Sequence, residues 1–155
     1  MGLSNDRNWW RQAAIYQIYP RSFKDSNGDA LGDIKGITSK IDYLASLNID
    51  AVWLSPFYPS ALADGGYDVD DYRDVDPKLG SLADFDEMLN KLHEVGIRVF
   101  VDIVPNHSSN RHVWFQEAIK AEPGSAAARR TWRNRGSAAR PAGRALFPAP
   151  FERGC

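Results

Sequence analysis

The stretch 98-RVFVDIVPNHSSN-110 combines a buried strand with polar residues that a buried strand alone does not need. Its apolar residues follow one another without alternation, interrupted by Asp102, and the run closes on Pro105, Asn106 and His107. A short, β-branched run of this kind is typical of a strand covered on both faces. The stretch therefore predicts a strand of a parallel sheet with a carboxylate inside it and polar groups at its C-terminal end.

Two similar runs precede this one, and helical patterns separate the three. The predicted strands are 14-AIYQIY-19, 51-AVWLSP-56 and 98-RVFVDIV-104. Between the first two, apolar residues recur at the spacing of a helix face, at Ile34, Ile37, Ile41, Leu44 and Leu47. Between the second and third, the same spacing occurs at Leu82, Phe85, Leu89, Leu92 and Val95.

The second helix has clear boundaries in the sequence. Ser81 and Asp84 can form a capping box at its start, and Gly96 is placed for a left-handed turn at its end. A further helix is predicted over 112-HVWFQEAIKA-121, starting near His112. Its predicted inward residues are Val113, Ala118 and Ile119.

The order β-α-β-α-β-α indicates an α/β fold of about three βα units, with parallel strands that are buried on both faces. The connection from Ser55 to Gly80 is longer than the ~2–6 residues usual in such units, and long loops in compact domains tend to be functional. In α/β folds, chemistry gathers at the C-terminal ends of the strands. We therefore expect the functional residues in this loop and after the third strand.

The composition is that of a globular domain of 155 residues, with a formal net charge of −1 that conceals a split. Residues 1–128 hold 12 basic and 19 acidic side chains, whereas 129–155 hold seven arginines against Glu152 alone. The single cysteine, Cys155, allows no disulfide framework, and a cytoplasmic protein is expected. Neither a signal peptide nor a membrane span of ~18 apolar residues is predicted. Nucleic-acid binding is not expected, and no pattern indicates the oligomeric state.

Asp102, Asn106 and His107 form the first candidate site. An isolated charge is costly to bury, so Asp102 must be paired with another charge or hydrogen-bonded, either to support neighbouring loops or to contact a ligand. Asn106 and His107 can donate hydrogen bonds to ligand hydroxyls, although a strand-end Asn-His pair also occurs for structural reasons.

The long loop contains a second candidate site, 64-DGGYDVDDYRDVDPKLG-80. Asp64 lies three residues before the ring of Tyr67, across a flexible Gly-Gly pair. A carboxylate that bridges sugar hydroxyls beside a ring that stacks on a sugar face is suited to carbohydrate binding. The alternative is a solvated acidic loop.

The third candidate is 25-DSNGDALGD-33, in which oxygen-bearing residues alternate as in the first half of an EF-hand loop. Such spacing suits a hard cation such as Ca²⁺. The alternative is a polar turn that ends with Asp33 as the N-cap of the first helix, because the glutamate of an EF-hand at position twelve is absent.

Together, "AIYQIYPRSFKDSNGD", "GGYDVDDYRDVDPKLGS" and "VFVDIVPNHSS" resemble the first strand with its metal loop, the second-strand loop and the first signature region of the α-amylase family of glycoside hydrolases. The resemblance covers about residues 8 to 128 and is nearest to the α-glucosidase and oligo-1,6-glucosidase branch. It implies that residues 1–128 are the N-terminal part of a catalytic (β/α)₈ barrel.

The resemblance also implies roles for individual residues. Asp64, Tyr67 and His107 would bind the non-reducing glucose of an α-glucoside oligosaccharide or disaccharide, and Asp102 and Asn106 would support the site. A structural Ca²⁺ or Mg²⁺ would be bound by five residues of the 25–33 loop: Asp25, Asn27, Asp29, Leu31 through its carbonyl, and Asp33. Ala30 stands where a glycine is usual in that loop.

Retaining glycosidases need two carboxyl groups about 5–5.5 Å apart, and in the family these follow the fourth and fifth strands. The resemblance thus assigns no catalytic residue within this chain, which is expected to be inactive alone. We hypothesise that the irregular segment 129–155, rich in Arg, Ala and Pro, arose from a shift of reading frame. The alternatives are a vestigial or sugar- or metal-binding fragment without catalysis, and a parent that is a glucosyl transferase or isomerase of the amylosucrase or trehalose-synthase kind.

Overall fold

The computed structural model describes residues 7–131, without the side chains of Arg130 and Thr131. This part of the chain forms two compact units, one of residues 7–59 and 73–103 and the other of residues 60–72 and 104–131. The first unit contains a three-stranded sheet, a short 3₁₀ helix (Trp9–Arg11) and four α-helices, and the second contains two α-helices. The helices are α1 (Pro20–Phe23), α2 (Ile34–Thr38), α3 (Ile41–Ser46), α4 (Leu82–Glu94), α5 (Val113–Lys120) and α6 (Ala126–Thr131).

The sheet is parallel, with its strands in the order β1 (Ile15–Ile18), β2 (Ala51–Leu54) and β3 (Arg98–Val101). Each strand falls inside a predicted run and ends before the last residue of that run. The α/β class and the parallel pairing predicted from the sequence are confirmed. Because β3 ends at Val101, Asp102 is the first residue after the strand, not a residue within it.

The prediction that the strands are buried on both faces is wrong for the described part of the chain. In β2, Val52 and Leu54 are fully buried, whereas Trp53 is 38% exposed. Gln17 and Phe100 pair with Trp53 in register, and both are exposed as well. Alternate residues of a strand point to opposite faces, so the sheet is open on the face that carries Gln17, Trp53 and Phe100, although Ala51 on that face is buried.

The helix predicted from Ile34 to Leu47 is divided into α2 and α3. The hydroxyl of Thr38 donates to the Ile34 carbonyl at 3.0 Å, and that of Ser39 donates to the Gly36 carbonyl at 2.7 Å. Side-chain bonds of this type compete with helix continuation, and Lys40 has non-helical backbone angles. The predicted inward residues Ile34, Ile37, Ile41 and Leu44 are buried, but Leu47 lies beyond α3 and is exposed.

Helix α4 begins and ends where the sequence predicts. Ser81 and Asp84 make both hydrogen bonds of the capping box, and Gly96 has φ +84° directly after the helix end. Its buried side chains are Met88 and Leu92. Two predicted inward residues, Leu82 and Val95, are exposed because they lie at the ends of the helix, beyond the packed turn.

Helix α5 starts directly after His112, as predicted, and packs against α6. Of its predicted inward residues only Ala118 is buried, and Val113 and Ile119 are exposed. Helix α6 includes residues 129–131, so the segment predicted to be irregular begins as a helix. Its remainder, residues 132–155, lies outside the described residues.

A buried ion pair ties α1 to the loop before α4. The Arg21 guanidinium donates through Nη2 to Oδ2 of Asp76 at 2.6 Å, and the two side chains are 5% and 7% exposed. The Asp76 amide donates to the Phe57 carbonyl, so the loop that carries this carboxylate is fixed next to the end of β2. A buried charge without its partner is strongly destabilising, which makes this pair a requirement of the first unit.

We predict that Arg21→Leu lowers the free energy of unfolding by about 3–5 kcal/mol, because it leaves the Asp76 carboxylate buried and unpaired. Urea unfolding followed by circular dichroism measures the change. The matched control is Lys91→Ala, which breaks the exposed pair with Glu87 on α4 and should cost about 0.3–0.5 kcal/mol. Equal losses in the two variants would contradict a structural role specific to Arg21.

Candidate functional site

The second unit brings Asp64 and Tyr67 together through a tight turn. The Tyr67 amide donates to the Asp64 carbonyl at 2.9 Å. Gly65 and Gly66, between them, have φ of +60° and +103°, a region that glycine enters without steric cost. The Gly-Gly pair is therefore required by the backbone of this turn. The Tyr67 ring is partly exposed, as a stacking surface must be.

Asp68, which directly follows this turn, is an acceptor for three groups of the same loop. Its carboxylate accepts the Ser60 hydroxyl at 2.7 Å and the amides of Ala63 and Asp64 at 3.1 Å each. Burial raises the pKa of Asp68, but these hydrogen bonds outweigh burial and hold the pKa below its usual value. The carboxylate is thus ionised at neutral pH and anchors the backbone of Asp64.

Asp64 and His107 lie next to each other across the second unit. Oδ2 of Asp64 is 3.7 Å from Nε2 of His107, and the side chains are 27% and 14% exposed. Both ring nitrogens of His107 are buried, and neither has a hydrogen-bond partner among the described residues. Such unsatisfied groups are rare and cost about 1–3 kcal/mol each, so they indicate a place for a polar ligand or water. Asn106, the neighbour of His107, is exposed.

The hydroxyl of Tyr72 holds the backbone that carries His107. It lies 2.7 Å from the His107 carbonyl and 2.9 Å from the Val104 carbonyl. A phenol has one proton, which it donates to one of these acceptors at a time. The Ser109 amide also donates to the Val69 carbonyl at 3.0 Å, so the segment after Val104 is attached to the long loop at two points.

Asp102 belongs to the first unit, where it is hydrogen-bonded as expected for a carboxylate at this position. The Trp53 indole donates to its Oδ1 at 2.7 Å, and the Tyr58 hydroxyl donates to its main-chain carbonyl at 2.8 Å. Burial, with a contribution from the Asp102 charge, raises the pKa of Tyr58, which keeps this donor protonated. Asp102 is therefore fixed at the C-terminal end of the sheet.

The 25–33 loop is closed by its own hydrogen bonds. The Asp25 carboxylate accepts the amides of Gly28 and Ala30 at 2.7 and 2.8 Å, and these bonds help to lower the pKa of Asp25. Ala30, at the position where glycine is usual, has φ +67°, which is unfavourable for any residue with a Cβ. Asp33 is the N-cap of α2 and accepts the Gly36 amide at 2.6 Å, as the alternative interpretation of this loop expected.

The carboxylates of the predicted metal loop are engaged within the loop itself. Within residues 7–131, no three His, Cys, Asp or Glu side chains are placed to hold a metal ion. The carboxylate oxygens of Asp25, Asp29 and Asp33 each accept at least one hydrogen bond within the loop or from α2. A carboxylate oxygen has two lone pairs, and one of them is used when the oxygen accepts a hydrogen bond. The remaining lone pairs of these carboxylates are the part of the donor set that a cation can use.

The family of the chain is shown by comparison with known proteins. The model of the α-amylase catalytic domain matches residues 17–144. The chain belongs to the α-amylase family. The matched residues include Asp64, His107, strands β2 and β3 and the second half of β1, so the sheet is part of a (β/α)₈ barrel.

Within the family, similar proteins include glucosidases and a glucosyl transfer enzyme. Maltase 1 of Drosophila virilis is 54% identical over 79% of this chain, and an oligo-1,6-glucosidase of Parageobacillus thermoglucosidasius is 52% identical over 76%. The chain spans about a fifth of these relatives, 19% and 21% of their lengths. The crystal structure of the α-glucosyl transfer enzyme XgtA is 56% identical, with a TM-score of 0.72, over 74% of this chain and 22% of its own. The resemblance to the α-glucosidase and oligo-1,6-glucosidase branch is confirmed.

Three residues that contact the predicted site residues were not predicted from the sequence: Asp68, Tyr72 and Trp53. Asp68 and Tyr72 lie inside the quoted loop motif but look like ordinary members of an acidic loop. A signal for Asp68 does exist in the sequence, because a carboxylate directly after a Gly-Gly turn can accept the main-chain amides of that turn. The partner of Tyr72 lies 35 residues away, so no local pattern reveals it.

His112 is a buried histidine whose neutral form is required by the structure. Its Nδ1 accepts the Trp114 amide at 3.0 Å and so caps α5, and its ring contacts the rings of both Tyr72 and Trp114. Burial lowers the pKa of His112, against the opposing effect of the Asp71 and Asp70 carboxylates. The unfolded state therefore takes up the proton first, and this contribution to stability is full above the unfolded pKa of about 6.5 and is lost as the pH falls through the folded pKa.

We predict that the free energy of unfolding is lower at pH 5 than at pH 7.5, because the unfolded chain takes up a proton that Nδ1 of His112 cannot take up while it caps α5. Urea unfolding at the two pH values measures the difference, with the Trp114 fluorescence as one probe. His112→Asn keeps a capping group that does not titrate and should remove this part of the pH dependence. His93→Gln, on α4 of the first unit, is the control, and an unchanged pH dependence in His112→Asn would refute the cap as its source.

Proposed function

We propose that this chain carries the glucose-holding part of the site of an α-glucosidase-like glycoside hydrolase. The parent enzyme would cleave α-glucosidic bonds of oligosaccharides or disaccharides with retention, which requires a nucleophile and an acid/base about 5–5.5 Å apart. No residue of this chain is assigned either role. The chain alone is expected to bind the sugar without turning it over, and a cytoplasmic location, inferred from the use of cysteine, is part of the proposal.

The observation that carries the proposal is the Asp64–His107 pair, in which neither ring nitrogen of His107 has a hydrogen-bond partner within residues 7–131. A carboxylate accepts hydrogen bonds from two vicinal hydroxyls, and a neighbouring imidazole can donate to one hydroxyl while it accepts from another. The adjacent Tyr67 ring offers an apolar surface to the face of the sugar. This set of groups has the composition of a hexose site, in which few polar groups fix orientation beside an aromatic surface.

We assign Asp102 and Asn106 supporting roles. The Asp102 carboxylate is fixed by the Trp53 indole at the C-terminal end of the sheet. Asn106 is exposed and directly precedes His107, so its amide is accessible to a ligand. Neither residue is proposed to take part in proton transfer.

A second candidate reaction is transfer of glucose to an acceptor other than water. The 56% identity to the α-glucosyl transfer enzyme XgtA favours it, because the sugar-holding residues can serve hydrolysis and transfer alike. The two reactions differ in what attacks the glucosyl group after the first step. Analysis of the products formed by the parent enzyme with excess acceptor sugar distinguishes them.

We predict that the 155-residue chain binds methyl α-glucoside with a Kd of about 1–10 mM, as expected for a sugar of this size at one subsite. Asp64→Ala should weaken binding about tenfold or more, since a charged hydrogen-bond acceptor contributes about 1.5–3 kcal/mol. Saturation-transfer NMR with a concentration series measures the affinity.

Asp86→Ala, which removes an exposed carboxylate of α4, is the matched control and should bind as the unmodified chain does. Equal binding by Asp64→Ala and the control would show that the sugar, if bound, lies elsewhere. Hydrolysis of p-nitrophenyl α-glucoside that disappears with Asp64→Ala would contradict the assignment of the catalytic groups to other parts of the parent enzyme.

We also propose a structural Ca²⁺, or Mg²⁺, in the 25–33 loop, held by remaining lone pairs of Asp25, Asn27 and Asp29 with the Leu31 carbonyl and Asp33. Hard oxygen donors at alternate positions of the loop support the proposal. Millimolar Ca²⁺ is then expected to raise the Tm of the chain by a few degrees. The shift should vanish in Asp29→Ala and persist in Asp86→Ala, and an equal shift in both would exclude this loop.

A further inference from the structure

The segment Asp68–Tyr72 makes contacts in both directions from a short stretch of chain. Toward the preceding loop, Asp68 accepts from Ser60, Ala63 and Asp64, and Val69 forms an isolated antiparallel bridge with Ser60. These contacts fix the turn that presents the Asp64 carboxylate.

Toward the following segment, the same residues hold the stretch that carries His107. The Val69 carbonyl accepts the Ser109 amide at 3.0 Å, and Asp70 pairs with Arg111 at 3.2 Å. The Tyr72 hydroxyl reaches the carbonyls of Val104 and His107 at 2.9 and 2.7 Å. The backbone of His107 is thereby tied to the same five-residue segment as the backbone of Asp64.

We propose that Asp68 and Tyr72 are positioning residues that set the separation of Asp64 and His107, an inference that rests on the proposed sugar-binding role of that pair. Asp68 acts on Asp64 through its amide, and Tyr72 acts on His107 through its carbonyl. The segment Asp68–Tyr72 then determines the distance between the two sugar-binding side chains. The backbone of Asp64 is bonded to its first residue, and the backbone of His107 is bonded to its last.

The chemistry of the two contacts explains why these residue types are needed. Asp68 serves three donors, so an amide in its place would turn an NH₂ group toward one of them. Tyr72 contributes a rigid side chain. Its ring centroid lies 5.4 Å from that of His112 and 6.1 Å from that of Trp114, and this packing fixes where its hydroxyl lies. A few tenths of an ångström at either contact change how the pair meets two adjacent hydroxyls of one sugar ring.

The first measurement needs no ligand. Backbone amide order parameters from ¹⁵N relaxation are measured for Asp64 and His107 in the full chain and in Asp68→Asn and Tyr72→Phe. We expect each variant to lower the order parameter of its own target from about 0.85 to below about 0.6, while the amides of α4 and β2 keep their values. Unchanged values at Asp64 and His107, or an equal decrease throughout the chain, would overturn the positioning role.

The second measurement is binding of methyl α-glucoside to the same variants. Each is expected to bind about tenfold more weakly than the unmodified chain. In the Asp64→Ala background, Asp68→Asn should cause no further loss, because a residue that acts through Asp64 has nothing left to position. A further loss of the same size in that background would show a general structural effect and overturn the inference.

Two control variants remove the same chemical groups elsewhere. Asp86→Asn changes an exposed carboxylate of α4, and Tyr43→Phe removes the hydroxyl of a half-exposed tyrosine of α3. Both should leave the order parameters and the affinity unchanged.

The two proposals fail in different ways. If the unmodified chain does not bind the glucoside but the order parameters fall as expected, the sugar-binding role is wrong and the positioning contacts stand. If binding is present and neither variant alters it or the order parameters, sugar binding stands and the positioning role is wrong.

Discussion

The parallel pairing of β2 with a strand on each side is the constraint on which the first unit depends. Three residues of β2 are fully buried: Ala51, Val52 and Leu54. Strand β2 is paired with β1 on one side and with β3 on the other, which fixes the direction in which these two strands run. Because all three strands run the same way, their C-terminal ends meet at one edge of the sheet. This is why the Trp53 indole can hold Asp102, which lies 49 positions further along the chain.

The long loop after β2 is held by polar contacts more than by apolar packing. In the first unit, the buried Arg21–Asp76 pair fixes its later part against α1. In the second unit, the Asp68 carboxylate anchors its earlier part through three donors. Buried polar networks of this kind are sensitive to the loss of any one member, because the groups left behind cannot find water. A loop without helices or strands is thereby given the fixed geometry that a binding site needs.

The chemistry of the site follows from what this scaffold leaves unsatisfied. Asp68 and Tyr72 bond main-chain groups next to Asp64 and His107, whereas both imidazole nitrogens of His107 have no partner in the described part of the chain. An unsatisfied donor and acceptor next to a carboxylate and an aromatic ring suit a molecule with adjacent hydroxyl groups and an apolar face. Membership of the α-amylase family and the similarity to maltase and oligo-1,6-glucosidase agree with a glucoside as that molecule.

The sequence by itself determined the three parallel strands, helix α4 and the start of α5, since the period of the apolar residues, the capping box at Ser81 and the turn at Gly96 act over a few residues. It also indicated Asp64, Tyr67 and His107 through motifs, although their roles stay predictions. It could not show that the Ile34–Leu47 helix breaks at Ser39, where side-chain hydroxyls compete with the helical hydrogen bonds, nor which sheet face is exposed. Only the tertiary structure decided that Tyr72 reaches His107 and that Arg21 reaches Asp76, because contacts across 35 and 55 residues depend on how the chain folds back, which no local pattern encodes.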